Sequence, residues 1–323
     1  MSPTVSVIIP CHNAASTLRL CIDSLLAQSY TNFEIIAVDD GSTDSTADYL
    51  EELYATEMRL RIITEPNQGL GKARNTGIYL ARGKYLSFVD ADDTVENNFL
   101  SELVNCARTT GADVVRCGSY RIHSDGNKTV YNSATHDSPG GVAALDLLLA
   151  DKTCAPVWTL LVKRDLCLCN KIFFAPTVNE DALFTAMILL ACRHFVEFPA
   201  PLYHYREYDV SLMNQKKGDN PVYSYFRGYM TLLDYVREWL TEAKKVIDLS
   251  PSKEQDIYVY FQNLSLINLC RVEPMMGADF DDLLNGYATE IFGDKREYVK
   301  AGYYLYKRLM YIIQQQNKEL RGR

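Results

Sequence analysis

The first 93 residues alternate between short apolar runs and segments of helical periodicity, and this alternation restricts the fold more than any other feature of the chain. Residues 5–11, VSVIIPC, are β-branched and apolar, the pattern of a strand buried on both faces. From Ser16 onward, Leu18, Cys21, Ile22, Leu25 and Leu26 recur at helical spacing. Phe33 to Val38 reads as a second strand, closed by Asp39, Asp40 and Gly41. Asp44 can cap a helix that carries Leu50, Leu53 and Tyr54 on one face. Leu60 to Thr64 is a third strand, Gly69 to Ala81 a third helix, and residues 84–89 a fourth strand. Strand and helix in turn predict an α/β fold, a mainly parallel sheet with helices on both faces. Such sheets bind ligands at the carboxyl ends of their strands. Pro10 to Asn13, Asp39 to Ser42 and Asp90 to Asp93 all fall there.

The acids at the end of the fourth strand stand out. In GKYLSFVDADD, residues 83–93, an apolar run stops on Asp90, Asp92 and Asp93. Desolvated carboxylates are unfavourable unless something pairs them. Their hard oxygen atoms suit Mg²⁺ or Mn²⁺ rather than Zn²⁺. The plainer alternative is a solvated acidic turn that caps the next helix. Asp39-Asp40-Gly41-Ser42 admits two readings as well. Gly41 lets a backbone approach a ligand that Asp39 binds, or the stretch is a turn followed by a helix cap. In NQGLGKARN, residues 67–75, glycines open a helix and Lys72 and Arg74 follow, an arrangement that favours anions unless both cations face solvent. No phosphate-loop Gly-Lys-Ser/Thr is present, and no GxGxxG follows the first strand, which argues against a dinucleotide dehydrogenase. Glu180 and Asp181 fit either a general base or acids favoured at a helix start. Trp158 fits either the core or a stacking face for a sugar. The five histidines show no metal-ligand spacing and read as structural or surface groups.

After about residue 215 the pattern becomes helical, with helices expected over 221–240, 253–271 and 295–314. Two domains are therefore expected, 1–215 and 216–323. The formal net charge of −8 makes nucleic acid an unsuitable partner. Residues 295–323 run against that trend, with eight Lys and Arg and two Glu. A basic amphipathic helix of this kind can lie on anionic lipid or pack on the catalytic domain. The nine cysteines are scattered and read as reduced thiols, including the lone Cys167-x-Cys169 pair. The start, MSPTVSVIIP, has no charged n-region, so no signal peptide is expected, and no apolar stretch reaches the length of a membrane span.

With these stretches assembled, the chain resembles glycosyltransferase family 2, the inverting transferases of the A-type fold. The matching segments are VSVIIPCHN at 5–13, FEIIAVDDGSTDST at 33–46, NQGLGKARNTG at 67–77, GKYLSFVDADD at 83–93, VWTLLVKR at 157–164, NED at 179–181 and PLYHYREYDVSL at 201–212. His12 departs from the tyrosine usual in the family. The resemblance implies that Pro10, Asn13 and Gly41 line a nucleotide pocket, that Asp39 binds uracil, and that Arg74 lies beside the nucleotide. It implies Asp90 at the ribose or metal, Asp92 on a Mn²⁺ or Mg²⁺ ion, Asp181 as catalytic base, Glu180 at the acceptor, and Trp158 near the donor sugar or acceptor. The implied partners are a UDP-sugar donor and a saccharide or lipid-linked saccharide acceptor. The implied location is the cytoplasm, with peripheral contact at the inner face of the membrane through the basic C-terminal helix. The rival readings are an inactive nucleotide-sugar binder and a sugar nucleotidyltransferase, which would carry a basic Gly-rich loop where Pro10-Cys11-His12-Asn13 stands.

Overall fold

The computed structural model describes residues 2–207, 221–245 and 247–272. The chain clusters into two compact units, Met1–Asn214 and Gln215–Arg323. The first unit opens with β1 (Val5–Cys11), α1 (Leu18–Leu26), β2 (Phe33–Asp40), α2 (Thr46–Tyr54), β3 (Leu60–Glu65), α3 (Leu70–Leu80) and β4 (Tyr85–Phe88). There follow β5 (Thr94–Val95), α4 (Phe99–Thr110), β6 (Val114–Ile122), β7 (Lys128–Asn132), β8 (His136–Ser138) and α5 (Val142–Leu149). A 3-10 turn at Val157–Thr159 leads into β9 (Leu160–Lys163), α6 (Arg164–Cys169), α7 (Glu180–Ala191) and β10 (Phe195–Arg206). In the second unit, α8 (Pro221–Ala243) and α9 (Pro251–Val272) are described, and the expected helix over 295–314 lies outside the described residues.

One sheet runs β3-β2-β1-β4-β9-β6-β10-β5, with β7 added to β6 and β8 to β10. The first four strands pair in parallel, as strand–helix alternation requires. Beyond β4 the sheet is mixed, because β9 enters antiparallel between β4 and β6. β6 and β10 then resume the direction of β4, while β5, β7 and β8 run against it. The polar segment 124–139 supplies the short strands β7 and β8.

All seven residues of β1 are buried. Val5, Val7, Ile9 and Cys11 point to a core shared with Leu18, Ile22 and Leu25 of α1 and Phe99, Leu103 and Val104 of α4. On the opposite face α3 lies close against the sheet, since a Cβ at Gly77 would run into the Ile8 side chain. The end of the sheet remote from the strand carboxyl ends is braced by buried polar groups. Ser6 Oγ donates to Glu34 Oε1 at 2.7 Å and accepts Gly83 N–H at 2.8 Å, while Arg61 pairs with Glu34 at 2.9 Å. This brace fixes where β1, β2 and β4 start, and so where they end.

Candidate active site

The strand ends converge because the register makes them neighbours: Cys11 faces Asp39, and Ile8 faces Phe88. At the end of β2, Asp39 and Asp40 are 2% and 4% exposed, so their carboxylates need partners. Asp39 Oδ1 accepts Ser42 N–H at 3.1 Å, closing a turn through Gly41. Gly41 has φ +65°, and a Cβ there would sit 2.7 Å from Asn67 N, so both backbone conformation and space demand glycine. Asp40 accepts Gln68 N–H at 2.7 Å and Gly69 N–H at 2.8 Å, which places a carboxylate at the amino end of α3. His12 Nδ1 lies 2.9 Å from the Asp40 carbonyl, and Asn13 accepts Thr43 N–H at 2.8 Å. Pro10, Asn13, Asp39 and Gly41 thus occupy adjacent strand ends, with Asn13 exposed in the left-handed region at φ 51°.

Arg74, one turn into α3, is 2% exposed. Its guanidinium donates to Asp90 Oδ1 at 2.7 Å and to Glu180 Oε1 at 2.8 Å. Beneath it lies the Phe174 ring, 5.3 Å away, itself stacked on Phe184 at 4.0 Å. Asn75 exchanges two hydrogen bonds with the Phe174 backbone, each 2.8 Å, and so ties the segment before α7 to α3. These contacts bring Glu180 and Asp181, at the first turn of α7, to the end of β4. Asp181 Oδ1 accepts the Ala182 N–H at 2.9 Å.

The acids following β4 divide into two environments. Asp93 is 1% exposed and accepts one hydrogen bond on each oxygen, from Tyr203 O–H at 2.7 Å and from Arg206 N–H at 2.8 Å. Burial drives its carboxyl well above the usual range, with Asp92 and Asp90 adding to the rise. Asp92 is pushed up to about 6, first by burial and then by the charge of Asp90. Glu180 rises to about 7 because burial and Asp181 outweigh Arg74. Asp181 is raised too, by burial, against the pull of Arg74. Burial opposes the charge on Arg74, yet Asp90, Glu180 and Asp181 hold its pKa above the ordinary value. The balance is one buried guanidinium among Asp90, Asp92, Glu180 and Asp181, and an added cation would relieve the excess negative charge.

Trp158 is 6% exposed and lies flat on Tyr203, with ring centroids 4.4 Å apart and planes 23° from parallel. The structure therefore places it in a packed aromatic row beside the acids. Among the described residues no three His, Cys, Asp or Glu side chains group to hold a metal by themselves. Asp90 and Asp92 nevertheless fit Mg²⁺ or Mn²⁺, which are commonly held by one or two carboxylates together with substrate phosphates. The sequence marks Asp40, Asp93 and His12 without indicating a partner for any of them, and it gives no role to Asn75 or Tyr203. Of these, Asp40 had a visible signal, since an acid beside Gly41 and an Asn-Gln-Gly helix start both sit at strand ends.

Known proteins share the family and the fold of this chain. Residues 6–165 match the model of "Glycosyl transferase family 2". EpsH of Bacillus subtilis is 31% identical over 226 residues, covering 67% of this chain and 65% of EpsH. EpsJ of the same organism is 42% identical over 125 residues, 39% of this chain and 36% of EpsJ. The chain thus spans less than two thirds of either relative. Among solved structures, S. aureus TarS 1-349 in complex with UDP-GlcNAc superposes with a TM-score of 0.68 at 20% identity, covering 93% of this chain and 88% of that one. The fold matches, the family model covers all three strand ends, and by these findings the chain belongs to glycosyltransferase family 2.

Proposed function

We propose that this chain transfers a hexosyl or N-acetylhexosaminyl group from a UDP-sugar to a hydroxyl of a growing cell-surface glycan, with inversion at the anomeric carbon. The observation that carries this reading is Arg74, whose two ion pairs join Asp90 at the end of β4 to Glu180 at the start of α7. That contact sets strand-end carboxylates beside a second pair of acids, as a transferase with separate donor and acceptor sides requires. Two likenesses support the donor and product class. The solved TarS structure contains UDP-GlcNAc, and chondroitin synthase of Escherichia coli is 37% identical over 126 residues, 36% of this chain and 18% of the synthase.

In this reading Pro10, Asn13 and Gly41 line the nucleotide, and Asp39 meets the uracil. Asp92, with Asp90, holds Mn²⁺ or Mg²⁺. When bound, such an ion neutralises charge on the departing diphosphate as a Lewis acid. Asp181 accepts the proton of the acceptor hydroxyl as its oxygen attacks the anomeric carbon. The burial that raises the Asp181 carboxyl makes it a stronger base than an ordinary aspartate. Glu180 and Arg74 hold the two halves of the site in register. One displacement needs one base, and it inverts configuration. The acceptor is a saccharide or a lipid-linked saccharide, met on the cytoplasmic side of the membrane. No helix among the described residues is long and apolar enough to cross a membrane, and the basic segment 295–323, the proposed lipid contact, lies outside the described residues.

The deciding experiment incubates the protein with UDP-GlcNAc, UDP-glucose or UDP-galactose, with Mn²⁺ or with EDTA, and measures UDP. Metal-dependent release that Asp181→Asn abolishes is expected. Binding without release identifies an inactive nucleotide-sugar binder, and conversion of the UDP-sugar with added pyrophosphate to UTP and sugar 1-phosphate identifies a nucleotidyltransferase.

A further inference from the structure

The aromatic row that ends at Trp158 continues outward to the surface. Tyr131 lies 6.4 Å from Trp158 and 6.1 Å from Tyr205, centroid to centroid, with planes 28° and 27° from parallel. Tyr205 and Trp158 are themselves 5.7 Å apart and nearly parallel, at 4°. Tyr203 and Tyr205 are two residues apart on β10, so both project to the face of the sheet that carries Trp158. The inner end of the row is anchored to the acids, because Tyr203 hydrogen-bonds Asp93 and accepts the Asp90 N–H at 3.1 Å. The outer end is open: Tyr131 is 45% exposed.

Backbone geometry aims Tyr131 at this position. In the antiparallel pairing of β6 with β7, Ser119 faces Asn132 and Tyr120 faces Val130, with an irregularity between them. Tyr131 is thus the extra residue of a β-bulge. Such bulges redirect a side chain and recur beside active sites. On β7 both Val130 and Tyr131 are exposed, although successive residues point to opposite faces, so the strand has solvent on both sides. A guanidinium lies over one face of the ring. The Arg121 guanidinium lies 4.3 Å from the Tyr131 centroid and pairs with Glu207 at 3.2 Å.

We propose that Tyr131, backed by Tyr205 and Trp158, is a stacking platform for a pyranose ring of the acceptor saccharide, one or more sugar units from the reacting hydroxyl. This rests on the glycosyltransferase reading above. Rigid aromatic side chains supply a broad apolar face at low entropic cost, and a pyranose presents a matching face of C–H groups. Arg121 and Glu207 supply a donor and an acceptor for the equatorial hydroxyls at the edge of such a ring. The occupant is carbohydrate rather than nucleotide, because the strand ends that suit a nucleotide lie at β1, β2 and β4, whereas Tyr131 sits on the far strand β7 beyond β6.

The test is saturation-transfer NMR on the full chain, irradiating upfield protein methyl protons with UDP, Mg²⁺ and either chitotriose or cellotriose present. The wild type is expected to pass saturation to the ring protons of at least one trisaccharide. Tyr131→Ala is expected to weaken that sugar about 3- to 10-fold in dissociation constant while UDP signals persist, and Tyr131→Phe to retain it. Tyr131→Leu keeps apolar cover over Trp158 without a flat face, so it separates stacking from packing and should resemble Tyr131→Ala. Sugar signals undiminished in Tyr131→Leu, or absent from the wild type while UDP signals are seen, overturn the platform. Missing UDP signals in the wild type count against the proposed donor class instead, and the sugar signals still report on Tyr131.

Discussion

The hydroxyl of Tyr203 donates to the buried carboxylate of Asp93 across 2.7 Å, joining residues 110 positions apart in the chain. The same oxygen accepts the Asp90 N–H. One phenol thereby ties β10 to the turn that presents Asp90 and Asp92, and the turn owes its shape to a strand that arrives much later in sequence.

Replacing Tyr203 by Phe removes this tie without removing the ring that Trp158 packs on. Asp93 keeps the Arg206 N–H but loses its second donor while buried, a deficit of about 1–3 kcal/mol. Chemical denaturation of Tyr203→Phe is expected to show that loss. Its donor affinity should fall as well, because the Asp90–Asp92 turn is no longer held. A variant as stable as the wild type would show that the turn is fixed by other contacts.

Arg74 offers a sharper case. Two carboxylates depend on one buried guanidinium, so Arg74→Met leaves Asp90 and Glu180 facing each other uncompensated. Breaking a buried pair from one side costs about 3–5 kcal/mol, and here one side serves two partners. Arg74→Lys keeps the charge but cannot reach both acids with a planar fork, so it should recover part of the stability and little of the activity. The measurements are urea midpoints alongside UDP release.

The sequence made the strand ends legible because local pattern decides them. An apolar run that stops on Asp39 or Asp90 is visible without any tertiary contact. The family resemblance implies Arg74 beside a nucleotide, but its bonds to Asp90 and Glu180 are not legible in the sequence, since they join three separate elements. The antiparallel entry of β9 was hidden for a related reason. Leu160 to Val162 is an apolar run whose periodicity fits either direction, and only its partners β4 and β6 set its orientation. The Tyr131 bulge leaves no local mark, because it exists only in the register between β6 and β7. Trp158 fits core or sugar platform equally in the sequence, and the choice depends on Tyr203 covering its face.

Glu34 gives a pH signature independent of the active site. Burial raises its carboxyl, but Ser6, the Arg82 N–H and Arg61 together outweigh burial and leave the pKa below its usual 4.5. A carboxylate lowered by folding stabilises the native state above its unfolded pKa, and that contribution disappears as pH falls through the folded value. Wild-type stability should therefore decline below about pH 4.5. Glu34→Gln should start less stable at neutral pH and decline less steeply in the same window. Thermal melts across pH 3–7 compare the two slopes, and parallel curves would remove Glu34 from the acid response.

Glu180 and Asp181 are neighbours whose carboxyls are both raised and which share the field of Arg74. Such a pair titrates together, so the acid limb of kcat/KM belongs to the pair and not to one residue. A base must be ionised to accept a proton, so turnover is expected to fall as pH drops, at a midpoint above that of an ordinary carboxylate. Asp181→Asn removes the proposed proton acceptor and should lower kcat by about 10²- to 10⁴-fold with UDP affinity little changed. Glu180→Gln keeps that acceptor but takes a charge from Arg74 and from Asp181. It should retain measurable turnover, with the acid limb shifted to lower pH because Asp181 no longer has an anionic neighbour. If Glu180→Gln instead proved the more damaging and the Asp181→Asn profile matched the wild type, the roles of the two acids would be exchanged, and Arg74 would be holding the base itself.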